Sequence, residues 1–133
     1  MMKQLIAFAL VGVLFAACQE SLEEKAAKEA ELYTKKNCPA KIDENITIDS
    51  LTFEISTRTL HYYYTLSGIA DSVGLLNEET VRNSLLNELK NTTSMMGYKE
   101  EGYRFAYTYR SQKNPKTILF DMVFTEKDYN TQK

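Results

Sequence analysis

Few residues in this sequence can do chemistry. Histidine occurs once, at His61, and cysteine twice, at Cys18 and Cys38. A thiolate–imidazole pair would need Cys38 and His61 within about 3 Å of each other, with a third group to orient the ring. No nucleophile signature surrounds Cys38. Between Asn37 and Pro39 it reads as a small hydrophobe at a helix end. His61 reads as a cross-strand polar residue. Asp43, Glu44 and Asp49 are the nearest approach to a cation cluster, but their spacing lacks the alternating ligands and Gly turn of a calcium loop. The expectation is no catalytic residue, no metal site and no cofactor.

Tyrosine is the other chemically distinctive residue: there are nine, and no tryptophan. Tyr offers a large contact area with a polar tip and few rotors. Strand periodicity assigns Tyr62, Tyr64, Tyr103, Tyr107 and Tyr109 to a core. Tyr63 has the opposite phase and shares it with His61. His61 and Tyr63 are therefore the candidate binding surface.

The elements that hold these residues follow from spacing. Ser21 to Lys36 is rich in Ala, Glu and Lys and reads as a weakly amphipathic helix, its first half a polar stalk. Leu51, Phe53 and Ile55 alternate, with Ile46 and Ile48 out of phase, which predicts a bulge near Asp49-Ser50. Thr57-Arg58 turns the chain into the strand Thr59–Leu66. Asn77 caps a helix carrying Val81, Leu85 and Leu89, which fades after Asn91 and stops near Gly97. Tyr103 to Arg110 and Ile118 to Phe124 alternate as two more strands. The expected fold is α+β, in the order α-β-β-α-β-β: a four-stranded antiparallel sheet with helix packed on one face, Leu85 and Phe120 meeting in the core.

The N-terminus sets the address. Lys3 precedes an apolar run from Leu5 to Ala17, too short for the roughly 20 residues of a membrane span and suited to a secretory signal. Leu14-Phe15-Ala16-Ala17-Cys18 resembles the lipobox of bacterial lipoproteins, with Phe15 departing from the usual aliphatic residue. That resemblance implies cleavage before Cys18 and lipidation of its thiol. Residues 1–17 would be a signal peptide, 18–28 a lipidated polar tether, and 29–133 a single small domain. Gln19-Glu20-Ser21-Leu22-Glu23-Glu24 is similar to the surface-export signal of Bacteroides-like lipoproteins. Lipidation implies a membrane partner through Cys18 and a location on the outer membrane of a Gram-negative envelope.

The formal charge of −2 gives no basic patch for nucleic acid. Asp49-Ser50-Leu51 and Asp71-Ser72-Val73 look like O-glycosylation acceptors of Bacteroides-like bacteria, at Ser50 and Ser72. Cys38-Pro39, Ile42-Asp43 and Leu60-His61-Tyr62-Tyr63-Tyr64 resemble a group of small secreted bacterial domains with a Pro-x-x-Ile/Val-Asp step before a hairpin ending in a Tyr-x-Tyr strand, a group without an established activity. The expected function is a non-catalytic binding or assembly lipoprotein whose partner is an envelope protein or glycan. The alternative is an inhibitor or immunity-type protein that plugs a toxin or hydrolase.

Overall fold

The computed structural model describes residues 21–72 and 77–130. The expected signal peptide and Cys18 lie outside the described residues.

The first helix, α1 (Leu22–Asn37), starts at a capping box. The Ser21 hydroxyl accepts from the Glu24 amide and the Glu24 carboxylate accepts from that of Ser21, with Glu23 and Glu24 in the first turn and Lys35 and Lys36 in the last. These charges complement the helix dipole at both ends. Ala26 and Ala30 are fully buried, and such small side chains let the helix lie close to the sheet. The span expected as a polar tether is thus, from Leu22 onward, part of a packed helix. Alanine one turn apart is a weak signal in sequence because its apolar area is small.

Five strands follow: β1 (Ala40–Asp43), β2 (Ile46–Glu54), β3 (Thr59–Leu66), β4 (Arg104–Ser111) and β5 (Ile118–Phe124). They lie in sequence order, β1-β2-β3-β4-β5. The β1/β2, β2/β3 and β4/β5 pairs are antiparallel and the central β3/β4 pair is parallel. The sheet is therefore mixed and five-stranded, which corrects the four-stranded antiparallel expectation. β1 has only four residues, three of them exposed, so it carries no alternation to read. The parallel pair arises because the chain between β3 and β4 crosses back over the sheet as helix, as parallel strands require.

That crossover holds a 3-10 turn at Gly68–Asp71, then α2 (Glu78–Asn91) and α3 (Met96–Glu100). Asn77 caps α2 by accepting from the Thr80 amide. α2 ends at Asn91 rather than running on to Gly97. Lys99 of α3 folds back and donates to the carbonyls of Leu89, Lys90 and Thr92 at 2.7, 3.4 and 2.8 Å, satisfying the open end of α2. The chain closes with α4 (Glu126–Tyr129), whose Tyr129 hydroxyl donates to the Tyr103 carbonyl at 2.7 Å.

The expected bulge is present: the β2/β3 register shifts between Ile48 and Ser50. Ile46, Ile48, Leu51 and Phe53 can therefore all meet the core beside Leu66, Tyr64, Tyr62 and Leu60. Ile55 leaves the pattern and stands half-exposed in the β2–β3 turn, where Arg58 takes a left-handed φ of 55°. Past Ile48, where β1 stops, α1 supplies the edge partner. The Thr34 hydroxyl donates to the Leu51 carbonyl at 2.8 Å and accepts from its amide at 2.9 Å.

One face of the sheet is core. Leu60, Tyr64, Leu66, Phe105, Tyr107, Tyr109, Phe120, Met122 and Phe124 are buried there with Ala26, Ala30 and Leu89 from the helices. The helices pack on this one face, as expected. Phe120 is buried, whereas Leu85 is only partly buried against the core edge. The other face carries Thr59, His61, Tyr63 and Thr65 of β3 beside Arg104, Ala106, Thr108 and Arg110 of β4.

Candidate functional site

The parallel register of β3 and β4 sets Tyr62 beside Tyr107 and Tyr64 beside Tyr109 on the helix-bearing face. Their rings stack across the strands, at 5.0 Å and 7° for the first pair and 4.7 Å and 13° for the second. Tyr62 and Tyr64 run parallel along β3 at 6.3 Å. Phe124 and Phe120 meet Tyr107 and Tyr109 edge-on from β5. The ring faces are thus occupied by one another, and the four tyrosines form a floor.

Above this floor is a groove of about 630 Å³, within the roughly 300–1,000 Å³ range of ligand sites. One wall is α2, through Val81, Leu85, Glu88 and Leu89; the other is Ile42, Asp43 and Ile46 where β1 turns into β2. α2 has few neighbours on this side, which is why Leu85 is not sealed in the core.

Tyr64, Tyr107 and Tyr109 are only 9%, 8% and 8% exposed. The Tyr62 hydroxyl donates to Met95 Sδ at 3.7 Å. Those of the other three have no hydrogen-bond partner among the described residues. Among the described residues no fully enclosed side-chain oxygen lacks a partner, so these hydroxyls reach solvent, and they do so at the groove they line. Burial raises the phenol pKa of Tyr64 and Tyr107 well above the usual tyrosine range and that of Tyr109 to about 12, with the Glu88 carboxylate adding to each. Tyr62 is raised for the same first reason. The floor therefore stays neutral and protonated. A ligand sealing it without polar atoms would strand each hydroxyl at a cost of about 1–3 kcal/mol.

His61 and Tyr63 lie on the opposite face, half-buried, with rings stacked at 4.0 Å and 13°. His61 Nε2 is 2.7 Å from Thr108 Oγ1, and that hydroxyl donates to Asp121 Oδ1 at 3.0 Å. The single Thr108 proton is directed at Asp121, so His61 Nε2 is the donor in its bond. A ring nitrogen carrying a proton toward a hydroxyl cannot act as that hydroxyl's base. Burial lowers the His61 pKa, partly opposed by Asp121 and Glu54.

Cys38 caps the C-terminus of α1 and packs against the core on the helix side. Burial, and then Asp49, push its thiol pKa up, away from the thiolate that a nucleophile needs. Of the acidic trio, Asp43 accepts from the Glu44 amide while Asp49 accepts from Thr65 Oγ1. Among the described residues no three His, Cys, Asp or Glu gather at metal-binding distance.

Sequence reasoning placed the floor tyrosines in the core but missed the groove. The available signal was the residue type: hydroxyl-bearing rings at four adjacent core positions where Phe or Leu would pack as well.

A family model described as a domain of unknown function (DUF8479) matches residues 21–120. The chain belongs to this family. The match opens at Ser21, the N-cap of α1, so α1 is integral to the DUF8479 domain. No curated protein resembles the sequence closely enough to count as a match. Solved structures of similar fold include a Pseudomonas aeruginosa protein assigned as secreted, at 18% identity and TM-score 0.65, covering 84% of this chain and 99% of that one. A pilotin of the Vibrio vulnificus type 2 secretion system has 10% identity and TM-score 0.64, covering 81% and 91%. The type II secretion pilotin AspS of Vibrio cholerae has 18% identity and TM-score 0.61, covering 86% and 97%. At these identities the likeness to the DUF8479 domain is one of fold.

Proposed function

We propose that this DUF8479 protein is a lipid-anchored, non-catalytic lipoprotein of the Gram-negative outer membrane that holds a segment of another envelope protein in the tyrosine-floored groove. The observation that carries the reading is the groove itself: largely apolar walls over a floor of nearly buried tyrosines, three of whose hydroxyls have no partner among the described residues. A protein segment suits it better than a glycan. Sugars bind tyrosine through exposed ring faces, and here those faces are stacked on each other. The fold shared with two type II secretion pilotins supports an assembly role.

Geometry agrees with an anchor at Cys18. Only Gln19 and Glu20 separate Cys18 from Ser21, a reach of about 10 Å at most. The start of α1 is tied to one end of the sheet. The Tyr103 hydroxyl donates to Glu23 Oε2 at 2.7 Å, and Arg58, 3.7 Å from the same carboxylate, lies over the Tyr103 ring. The groove's outer rim, at Ile42, Asp43, Ile46 and Leu66, is at the other end of β2 and β3. A lipid on Cys18 would leave that rim facing away from the bilayer.

Two variants of the full-length protein test the proposal in cells. Cys18→Ser should leave the membrane fraction or remain uncleaved; membrane retention with no acyl mass on the wild type would refute the anchor. Ser84→Trp, on the groove wall, should keep the melting temperature and lose the co-purifying envelope partner. An unchanged partner set would refute the groove.

A further inference from the structure

The groove has a polarity that specifies its occupant. Among the described residues its lining holds two carboxylates, Asp43 and Glu88, and no lysine or arginine. Neither carboxylate has an ion-pair partner among the described residues. Lys99, which lies nearby in the chain, is spent on the carbonyls that end α2. Glu88 stands on α2 one turn beyond Leu85 and one residue before buried Leu89, so it borders the tyrosine floor. Its field reaches the phenols of Tyr62, Tyr64, Tyr107 and Tyr109 alike.

An apolar segment closing over this groove would do two unfavourable things at once. It would take the Glu88 carboxylate out of water without a counter-charge. It would also cover the hydroxyls of three nearly buried tyrosines, which have no partner among the described residues. A neutral polar side chain remedies only the second. An ammonium or guanidinium remedies both, because its N–H groups can be shared between a carboxylate and neutral phenol oxygens. The phenols are suited to the accepting role because they stay protonated and uncharged.

Resting on the groove reading above, we infer that the bound segment is apolar apart from one lysine or arginine, which enters between Glu88 and the hydroxyls of Tyr64, Tyr107 and Tyr109. Glu88 then determines specificity, selecting a cationic partner segment over an otherwise equal neutral or acidic one.

The test places the photoreactive residue benzoylphenylalanine at position 84 of the full-length protein in cells and maps the cross-linked peptide by mass spectrometry. The captured segment should carry a lysine or arginine within about one helical turn or two strand residues of the cross-link. Glu88→Lys should reduce the cross-link about tenfold or more, as expected for a desolvated charge pair turned repulsive. Glu88→Gln should give a smaller loss. Melting temperatures of both variants serve as the folding control, since Glu88 is exposed. Changing the partner's basic residue to Glu should restore the cross-link in Glu88→Lys. A captured segment without a basic residue, or a cross-link indifferent to Glu88→Lys, overturns this inference and leaves the groove reading intact. No cross-link from position 84 overturns both.

Discussion

Raising the pH should unfold this protein abruptly, and the tyrosine floor sets where. The phenols of Tyr62, Tyr64 and Tyr107 are pushed well above the ordinary value of 10.0 and Tyr109 to about 12, chiefly by burial. The sign follows from linkage. Above pH 10 the unfolded chain releases these protons while the folded chain keeps them, so stability is full below that pH and falls as pH rises. Each such phenol costs about 1.4 kcal/mol per pH unit, and four together about 5 kcal/mol per unit. A small domain has about 5–15 kcal/mol in total, so the fold should be lost within about one to three pH units above 10. Phenolate absorbance and circular dichroism, followed together, should show one coincident transition for the floor tyrosines. Tyr64→Phe with Tyr107→Phe should move that transition to higher pH. At neutral pH the same pair should cost little, because neither hydroxyl has a partner among the described residues. Floor phenolates forming near pH 10 with the ellipticity intact would refute the reasoning, because they would show that burial does not hold these phenols protonated.

Other substitutions separate core from groove. Leu89→Ala should cost about 2–4 kcal/mol, as for a buried leucine, and Leu85→Ala less than half of that; equal losses in chemical denaturation would mean that the groove wall is sealed core. Tyr129→Phe deletes a buried bond to the Tyr103 carbonyl and should cost about 1–2 kcal/mol, read from the same titrations. Tyr63→Ala should change stability by no more than about 1 kcal/mol, since Tyr63 is only half-buried and stacks on His61; a larger drop in melting temperature would place Tyr63 in the core.

What could be read in the sequence was local. The strand character of Tyr103 to Tyr109, the phase slip at Asp49-Ser50 and the Asn77 cap are each encoded within a few residues, and each appears in the structure, although β4 buries Ala106 and Thr108 of the opposite phase as well. The parallel pairing of β3 with β4 is not local. It depends on where the crossover through α2 and α3 delivers the chain, and no residue in either strand records it. The short β1 escaped because three of its four residues are exposed. α1 was read as half tether because it docks through Ala26 and Ala30, whose small size lets backbone approach sheet without marking an apolar stripe. The groove needed the parallel pairing to be known, since only that register sets Tyr62 beside Tyr107 and Tyr64 beside Tyr109. His61 and Tyr63 were correctly placed by phase on the face away from the core, but the sequence could not show that Thr108 and Asp121 engage the imidazole.

The two faces of the sheet can be compared in one experiment. Benzoylphenylalanine is placed at position 84, on the groove wall, or at position 63, on the opposite face, in the full-length membrane-anchored protein, and both are irradiated in cells. If the groove is the binding site, position 84 gives a defined cross-link to one segment of an envelope protein and Ser84→Trp, tested beside a cross-linker at position 85, abolishes it, while position 63 gives none. A defined cross-link from position 63 alone would contradict the groove and move the contact to the His61–Tyr63 face.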